Sequence, residues 1–234
     1  MLLVGGKGSR LRPFTATFPK PLMPLDDIPI LELLLQQLLR CGVDHVTLAL
    51  GHLGELIQAY LSQRPQLTQR LTIDYVRETE PLGTAGALAL VDGLDDTFFV
   101  MNGDVLTDLD FTALLDYHRT TEAALTIAAH AKAVPIDLGV LQTDDNDVLT
   151  GYVEKPVEQF IVSMGIYVYE PRVLEHIAPH AHLDFPDLVL KLIAAGERVA
   201  AYRTDALWLD IGRPDDYAKA QELFTANRSA LHGD

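Results

Sequence analysis

Two features of the 234-residue sequence predict an α/β fold with a mainly parallel central sheet. Short apolar runs alternate with helical patterns through its first half, the signature of strands joined by crossover helices. Hydrophobic residues make up 48% and charged residues 22%, an ordinary composition for a chain that buries a substantial core, and the length fits one domain better than two.

In chain order, Leu2 to Val4, His45 to Leu50, Leu71 to Val76 and Thr97 to Met101 are the first predicted strands. Between them, Ile30 to Leu39 and Leu53 to Leu61 repeat apolar residues every three or four positions, which places them on helices. Pro29 suits a first helical turn and Asp27 its cap. After a further helix, Phe111 to His118, the pattern becomes extended over Leu125 to Ala129, Leu138 to Gln142, Val148 to Val153 and Ile161 to Tyr169. Asp144-Asp145-Asn146-Asp147 forms a turn within this region. Asp184-Phe185-Pro186-Asp187 opens a helix that runs through Ala195 and stops at Gly196. Arg198 to Tyr202 and Leu207 to Leu209 are late strands, and Pro214 starts a last helix through Leu223. Repeats are absent, hexapeptide repeats included, so residues 1–234 are expected to form a single domain with no left-handed β-helix tail.

A net charge of −15 argues against a nucleic-acid surface, which needs clustered lysine and arginine. Any polyphosphate must then be held locally, by a few placed cations and a metal. No segment reaches the ~20 apolar residues of a membrane helix, and Met1 to Gly6 lacks the basic start and apolar stretch of a signal peptide. A cytoplasmic location with no membrane partner is expected, and homo-oligomerisation is left open. Cys41, the single cysteine, excludes an intramolecular disulfide and a multi-cysteine metal site; its place after an apolar helical run predicts a buried structural thiol. None of the eight histidines has metal-ligand spacing, and His45, His52 and His118 are expected to be partly exposed.

Chemistry concentrates between Gly5 and Asp27, a stretch without helical or strand periodicity and too long for a plain connection. Gly5, Gly6 and Gly8 follow a strand directly, where bare backbone presents N–H groups to a phosphate, and Arg10, Arg12 and Lys20 add cations. Neither common glycine motif fits. Walker A needs Gly-Lys before Ser or Thr, whereas Gly8 follows Lys7, and Leu11 stands where the dinucleotide pattern needs its third glycine. Asn102-Gly103-Asp104 ends an apolar strand and so puts a carboxylate at the carboxyl edge of the sheet. Trp208-Leu209-Asp210-Ile211-Gly212 repeats that arrangement, and two carboxylates with phosphate oxygens and water suit Mg²⁺.

The stretch Gly5-Gly6-Lys7-Gly8-Ser9-Arg10-Leu11-Arg12-Pro13, with Phe18-Pro19-Lys20-Pro21-Leu22-Met23-Pro24 behind it, resembles the signature of the sugar nucleotidyltransferase (NDP-sugar pyrophosphorylase) family. Glu80-Pro81-Leu82-Gly83-Thr84-Ala85-Gly86, Asn102-Gly103-Asp104 and Trp208 to Gly212 extend the similarity, which runs from Leu2 to about Phe224. Bacterial mannose-1-phosphate guanylyltransferases and related short forms are the most similar group. The resemblance implies a Rossmann-like three-layer α/β/α sandwich. It also implies a reaction in which a sugar 1-phosphate attacks the α-phosphorus of a nucleoside triphosphate and pyrophosphate departs.

On this resemblance, Leu3, Gly5, Gly6, Gly8, Ser9, Arg10, Glu80, Pro81, Gly83, Thr84, Asn102 and Gly103 bind the nucleotide. Asp104 and Asp210 hold Mg²⁺, while Arg10, Lys20 and Lys155 carry the catalysis. Gly139, in Asp137-Leu138-Gly139-Val140, contacts the sugar, Glu154 bonds its hydroxyls and Lys155 holds its phosphate. Ser163, in Ser163-Met164-Gly165-Ile166-Tyr167, stands where the family has asparagine, so the sugar hydroxyl met there is read with fewer hydrogen bonds. GTP with mannose 1-phosphate is the expected pair; thymidylyl, uridylyl or cytidylyl transfer to glucose, heptose or amino-sugar phosphates is the alternative. Two other classes compete: a non-catalytic paralogue that binds an NDP-sugar, which loss of a metal carboxylate or of Arg10 would favour, and a glycosyltransferase, which leaves the Arg10 to Lys20 loop unexplained.

Overall fold

The computed structural model describes residues 1–78, 80–94 and 96–232. Strand β1 (Leu2–Leu3) leads into the phosphate loop, which is folded as three short 3₁₀ turns at Ser9–Leu11, Phe14–Ala16 and Lys20–Leu22. Then come β2 (Pro24–Leu25), β3 (Ile28–Pro29), α1 (Ile30–Arg40), β4 (His45–Leu50), α2 (Gly54–Ser62), α3 (Pro65–Thr68), β5 (Thr72–Arg77) and α4 (Gly83–Gly86). The middle of the chain supplies β6 (Phe98–Asn102), β7 (Val105–Thr107), α5 (Phe111–Thr121), β8 (Leu125–Pro135), β9 (Val140–Thr143), β10 (Leu149–Val153) and β11 (Val157–Tyr169). The chain continues through α6 (Phe185–Ala194), β12 (Val199–Arg203), β13 (Trp208–Asp210), α7 (Pro214–Ala226) and α8 (Arg228–His232).

The seven-stranded sheet has the order β12-β8-β11-β6-β1-β4-β5. Every neighbouring pair is parallel except the two made by β11, which runs against both β6 and β8. From β1 the chain moves outward through β4 to β5, then returns to lay β6 on the other side of β1. The strand order therefore reverses between β1 and β6, the topological switch point where such sheets bind ligands.

Period-two alternation divides the core. Met101, Ile166 and Val168 face the side covered by α1, α2, α5 and α7, where they meet Leu31, Leu34, Leu38, Ile57, Leu61, Leu114 and Phe224. Val100, Tyr167 and Tyr169 face α6 and pack with Leu88, Val173, Leu188 and Leu192. Two covered faces make the expected three-layer sandwich.

Several local expectations need correction. Asp27 does not cap α1: extended Pro29 precedes that helix with no side-chain cap bond, and the Asp27 carboxylate instead accepts from Arg228 at 3.0 Å. Cys41 is exposed: it follows the last turn of α1, where its backbone N–H donates to the Gln37 and Leu38 carbonyls. His118 is buried, facing from α5 onto Thr126 and Glu170. The strands β8 and β11 are longer than expected, and α8 is an additional helix.

Candidate functional site

The carboxyl ends of β1 and β6 open onto a cavity of about 610 Å³. Leu3 to Lys7 form its floor with Asn102, Gly103 and Asp104; Gly51 and His52 follow β4; Glu78, Glu80, Pro81, Gly83 and Thr84 follow β5; and Lys20, Pro21 and Asp184 complete the lining. Register sets this convergence. Leu2 pairs with Met101 and Leu3 with Asn102, so the two loops leave the sheet side by side, and the Gly103 N–H donates to Leu3 O at 2.9 Å.

Glycine is required where backbones touch. A Cβ on Gly51 would stand 2.5 Å from Gly5 O, and the neighbouring His52 N–H donates to that same carbonyl at 3.2 Å. Gly8 has φ +56 and opens the first 3₁₀ turn, its carbonyl accepting from the Thr15 hydroxyl at 2.6 Å and from Leu11 N–H at 2.9 Å. These bonds shape the loop before any ligand arrives.

The Lys20 ammonium is buried and paired with the Asp104 carboxylate. Asp104 Oδ1, also buried, has no hydrogen-bond partner among the described residues. The second carboxylate arrives through a two-stranded ribbon: β13 pairs antiparallel with β7, setting Asp210 opposite Val105, and Ile211 N–H donates to Asp104 O at 3.1 Å. Burial raises the Asp210 carboxyl pKa, the Asp104 charge adds to the rise, and Lys20 and Arg10 partly offset it. The Arg10 guanidinium also approaches Gly212, where a Cβ would lie 3.5 Å from it.

Two carboxylates held close, one with an unpartnered buried oxygen and the other with its ionised form disfavoured, fit a hard divalent cation. Among the described residues no third His, Cys, Asp or Glu joins them in a metal-binding group. Phosphate oxygens and water would therefore supply the remaining ligands.

The expected sugar side is built elsewhere. Tyr152 OH donates to Glu154 Oε2 at 2.9 Å on the β9–β10 hairpin, and a Cβ on Gly139 would fall 2.0 Å from that hydroxyl and 3.1 Å from the carboxylate oxygen. Gly139 and Glu154 are thus neighbours, with Lys155 next in the chain at φ +46. Ser163 Oγ accepts from Gly165 N–H at 3.3 Å and donates to Tyr167 OH at 3.4 Å. None of these four residues lines the cavity, and neither do Gly8, Ser9, Arg10 or Asp210. Leu3, Gly5, Gly6, Lys20, Glu80, Pro81, Gly83, Thr84, Asn102, Gly103 and Asp104 all do.

Sequence reasoning missed Gly51, Glu78 and Asp184. Gly51 carried a usable signal, since it closes an apolar strand as Gly5 and Gly103 do. Glu78 accepts Leu82 N–H at 2.9 Å, and Asp184, at the N-cap of α6, stands 100 residues from the Thr84 it meets, so neither belongs to a motif read in the sequence.

The sheet, its switch-point cleft and the glycine-rich loop over it define the class: a Rossmann-like, three-layer α/β protein with a cleft at the carboxyl ends of parallel strands, where sheets of this kind bind ligands. The chain belongs to the Nucleotidyl transferase family, which it matches over residues 1–227. It is 35% identical to a mannose-1-phosphate guanylyltransferase of Mycobacterium tuberculosis over 94% of this chain and 62% of that protein. It is equally 35% identical to a UTP–glucose-1-phosphate uridylyltransferase of Synechocystis, over 94% and 61%. The chain thus spans about three fifths of the length of these curated relatives. Among solved structures, HddC from Yersinia pseudotuberculosis complexed with GMP-PN superposes with a TM-score of 0.69 at 28% identity, covering 95% of this chain and 97% of that one.

Proposed function

We propose that this chain joins a nucleoside triphosphate to a sugar 1-phosphate, giving an NDP-sugar and pyrophosphate, with GTP and mannose 1-phosphate as its preferred pair. The observation that carries the reading is the meeting of a buried Lys20–Asp104 pair with Asp210 and Arg10 at the switch point. An oxygen of the sugar phosphate attacks the α-phosphorus, the bond from that phosphorus to the bridging oxygen of the β-phosphate breaks, and pyrophosphate carries the electron pair away. Such a displacement needs position and charge neutralisation more than a proton-transfer catalyst.

Gly5, Gly6, Gly8 and Ser9 offer backbone to the triphosphate, and the fixed fork of Arg10 stabilises charge growing on the departing β- and γ-phosphates. Lys20 and Lys155 hold the two substrates' phosphates together against their repulsion. Asp104 and Asp210 would hold Mg²⁺, which when bound neutralises the reacting phosphate and orients it. The preference for GTP rests on Glu78 and Glu80 in the cavity wall, since guanine offers the N1–H and N2–H donors that a carboxylate accepts, whereas uracil and thymine offer one flanked by acceptors. Gly139, Glu154 and Ser163 are assigned to the sugar, on the hairpin and strand beyond the cleft.

Pyrophosphate release measured with Mg²⁺ for GTP, dTTP, UTP and CTP, crossed with mannose, glucose and heptose 1-phosphates, tests this directly. Release is expected to be fastest with GTP and mannose 1-phosphate; no release with any pair overturns the reading. Asp104→Asn is expected to lower kcat at least about a hundredfold, the scale of several kcal/mol of lost charge stabilisation, with cooperative unfolding retained. Near-normal turnover in that variant would remove the metal assignment.

A further inference from the structure

The loop that follows β5 is tied to the start of α6 by an exchange of caps. Asp184 stands at the N-cap of α6, yet its carboxylate makes no bond to that helix. Asp184 Oδ1 accepts instead from Thr84 N–H at 3.2 Å, on the first turn of α4. In return the Thr84 hydroxyl oxygen accepts from Phe185 N–H at 2.8 Å, the first N–H of α6. Each segment supplies the acceptor that the other's helix start lacks.

Backbone bonds reinforce the exchange: Leu183 N–H donates to Leu82 O at 2.8 Å, and Leu183 O accepts from Ala85 and Gly86 N–H at 2.9 and 3.0 Å. The fit leaves no slack at Gly83, which has φ +77 and whose Cβ would lie 2.6 Å from Leu183 O and 2.7 Å from Asp184 Oδ1. Phe185, beside Asp184, is stacked on Tyr167 with ring centroids 3.9 Å apart, which anchors the donor segment to β11. A carboxylate in a cavity meant for a polyphosphate is electrostatically unfavourable. Its presence in the lining is explained by the N–H it holds.

Building on the nucleotide-binding reading of this cavity, we propose that Asp184 is a positioning residue: through Thr84 N–H it fixes the Pro81–Gly86 loop in the shape that receives the nucleotide. In its absence the loop relaxes and bound nucleotide must reorder it, so affinity falls by the ordering cost.

The sign of the effect separates this role from simple electrostatics. Removing a negative charge from a polyphosphate site by itself tightens nucleotide binding, and does so equally for any neutral replacement. A positioning role requires that Asp184→Ala raise KM for the nucleoside triphosphate by about tenfold or more, the scale of one lost charge-assisted hydrogen bond, with kcat changed less than KM. Asp184→Asn keeps an acceptor at Oδ1 and is expected to restore KM to the wild-type value or below. Both are read by steady-state pyrophosphate release with the preferred pair, beside thermal unfolding of each variant. Equal KM values for wild type and Asp184→Ala, or a fall in both variants alike, overturns the proposal. If Asp184→Ala does not fold, Asp184→Ser, whose oxygen is one atom too short to reach Thr84 N–H, takes its place: KM raised about tenfold supports the positioning role, and KM equal to wild type or lower overturns it. Wild-type protein without turnover on any substrate pair indicts the functional reading instead, so the two failures are told apart.

Discussion

At the scale of single residues, the surroundings of His118 select a neutral imidazole. Its Nε2 faces Glu170 Oε1 at 3.0 Å and its Nδ1 faces the Thr126 hydroxyl at 2.8 Å, so Nε2–H donates to the carboxylate and Nδ1 accepts from the hydroxyl. Burial lowers its pKa below the ordinary 6.5, and the Glu170 carboxylate offsets only part of that fall. The unfolded chain therefore takes up a proton at higher pH than the native protein does, and stability is lost as pH falls below 6.5. Urea unfolding of wild type and His118→Gln at about pH 7.5 and about pH 5.5 checks this, with the larger drop expected in the wild type. Equal drops would show that His118 does not contribute. Lys20, Asp104 and Asp210 were legible in the sequence because each sits in a motif with a strand end or a glycine loop beside it. The burial of His118 was not, since the residues that enclose it lie 8 and 52 positions further along the chain.

Secondary-structure elements position the phosphate loop through one backbone crossing. Where β4 ends, Gly51 passes so close to Gly5 that a Cβ there meets Gly5 O at 2.5 Å and Gly5 Cα at 2.8 Å, atoms that no rotamer change can move aside. Gly51→Ala is expected to cost about 1–3 kcal/mol by overpacking and to shift the loop. Gly6, one residue further along, has nothing within 4 Å of a built Cβ, and Gly6→Ala is expected to stay within about 0.5 kcal/mol of wild type. Equal unfolding midpoints for the two variants would contradict the close crossing. The elements that bury a regular apolar face were legible: β4 spans His45–Leu50 as expected, and α1 and α6 differ from expectation by one residue at an end. The outer halves of β8 and β11 were not, because their residues, Lys132, Glu158 and Gln159 among them, are exposed and carry no alternation to read.

Across the whole molecule, stability and the two proposed substrate sites are distributed differently. The strands flanking the switch point are enclosed on both faces, with Leu2, Leu48, Val100 and Met101 all 1% exposed or less. Beyond Ala129 and before Ser163, β8 and β11 continue as a pair whose residues 131–135 and 157–161 are exposed throughout, next to a β9–β10 hairpin that is also two-stranded. Isolated two-stranded ribbons are marginally stable in water, so local opening there needs far less than global unfolding. Hydrogen exchange is expected to be slowest in β4 and β6 and fastest over residues 131–160. Ligands then separate the sites: a nucleoside triphosphate should slow exchange at residues 5–23 and 80–86, while a sugar 1-phosphate should slow it around Gly139, Glu154 and Lys155. Residues 131–160 have the most protection to gain, because ordering by a ligand adds most where little order exists beforehand. Slowing confined to the cleft with both ligands present would place the sugar phosphate away from Lys155 and leave the exposed hairpin without a part in the reaction.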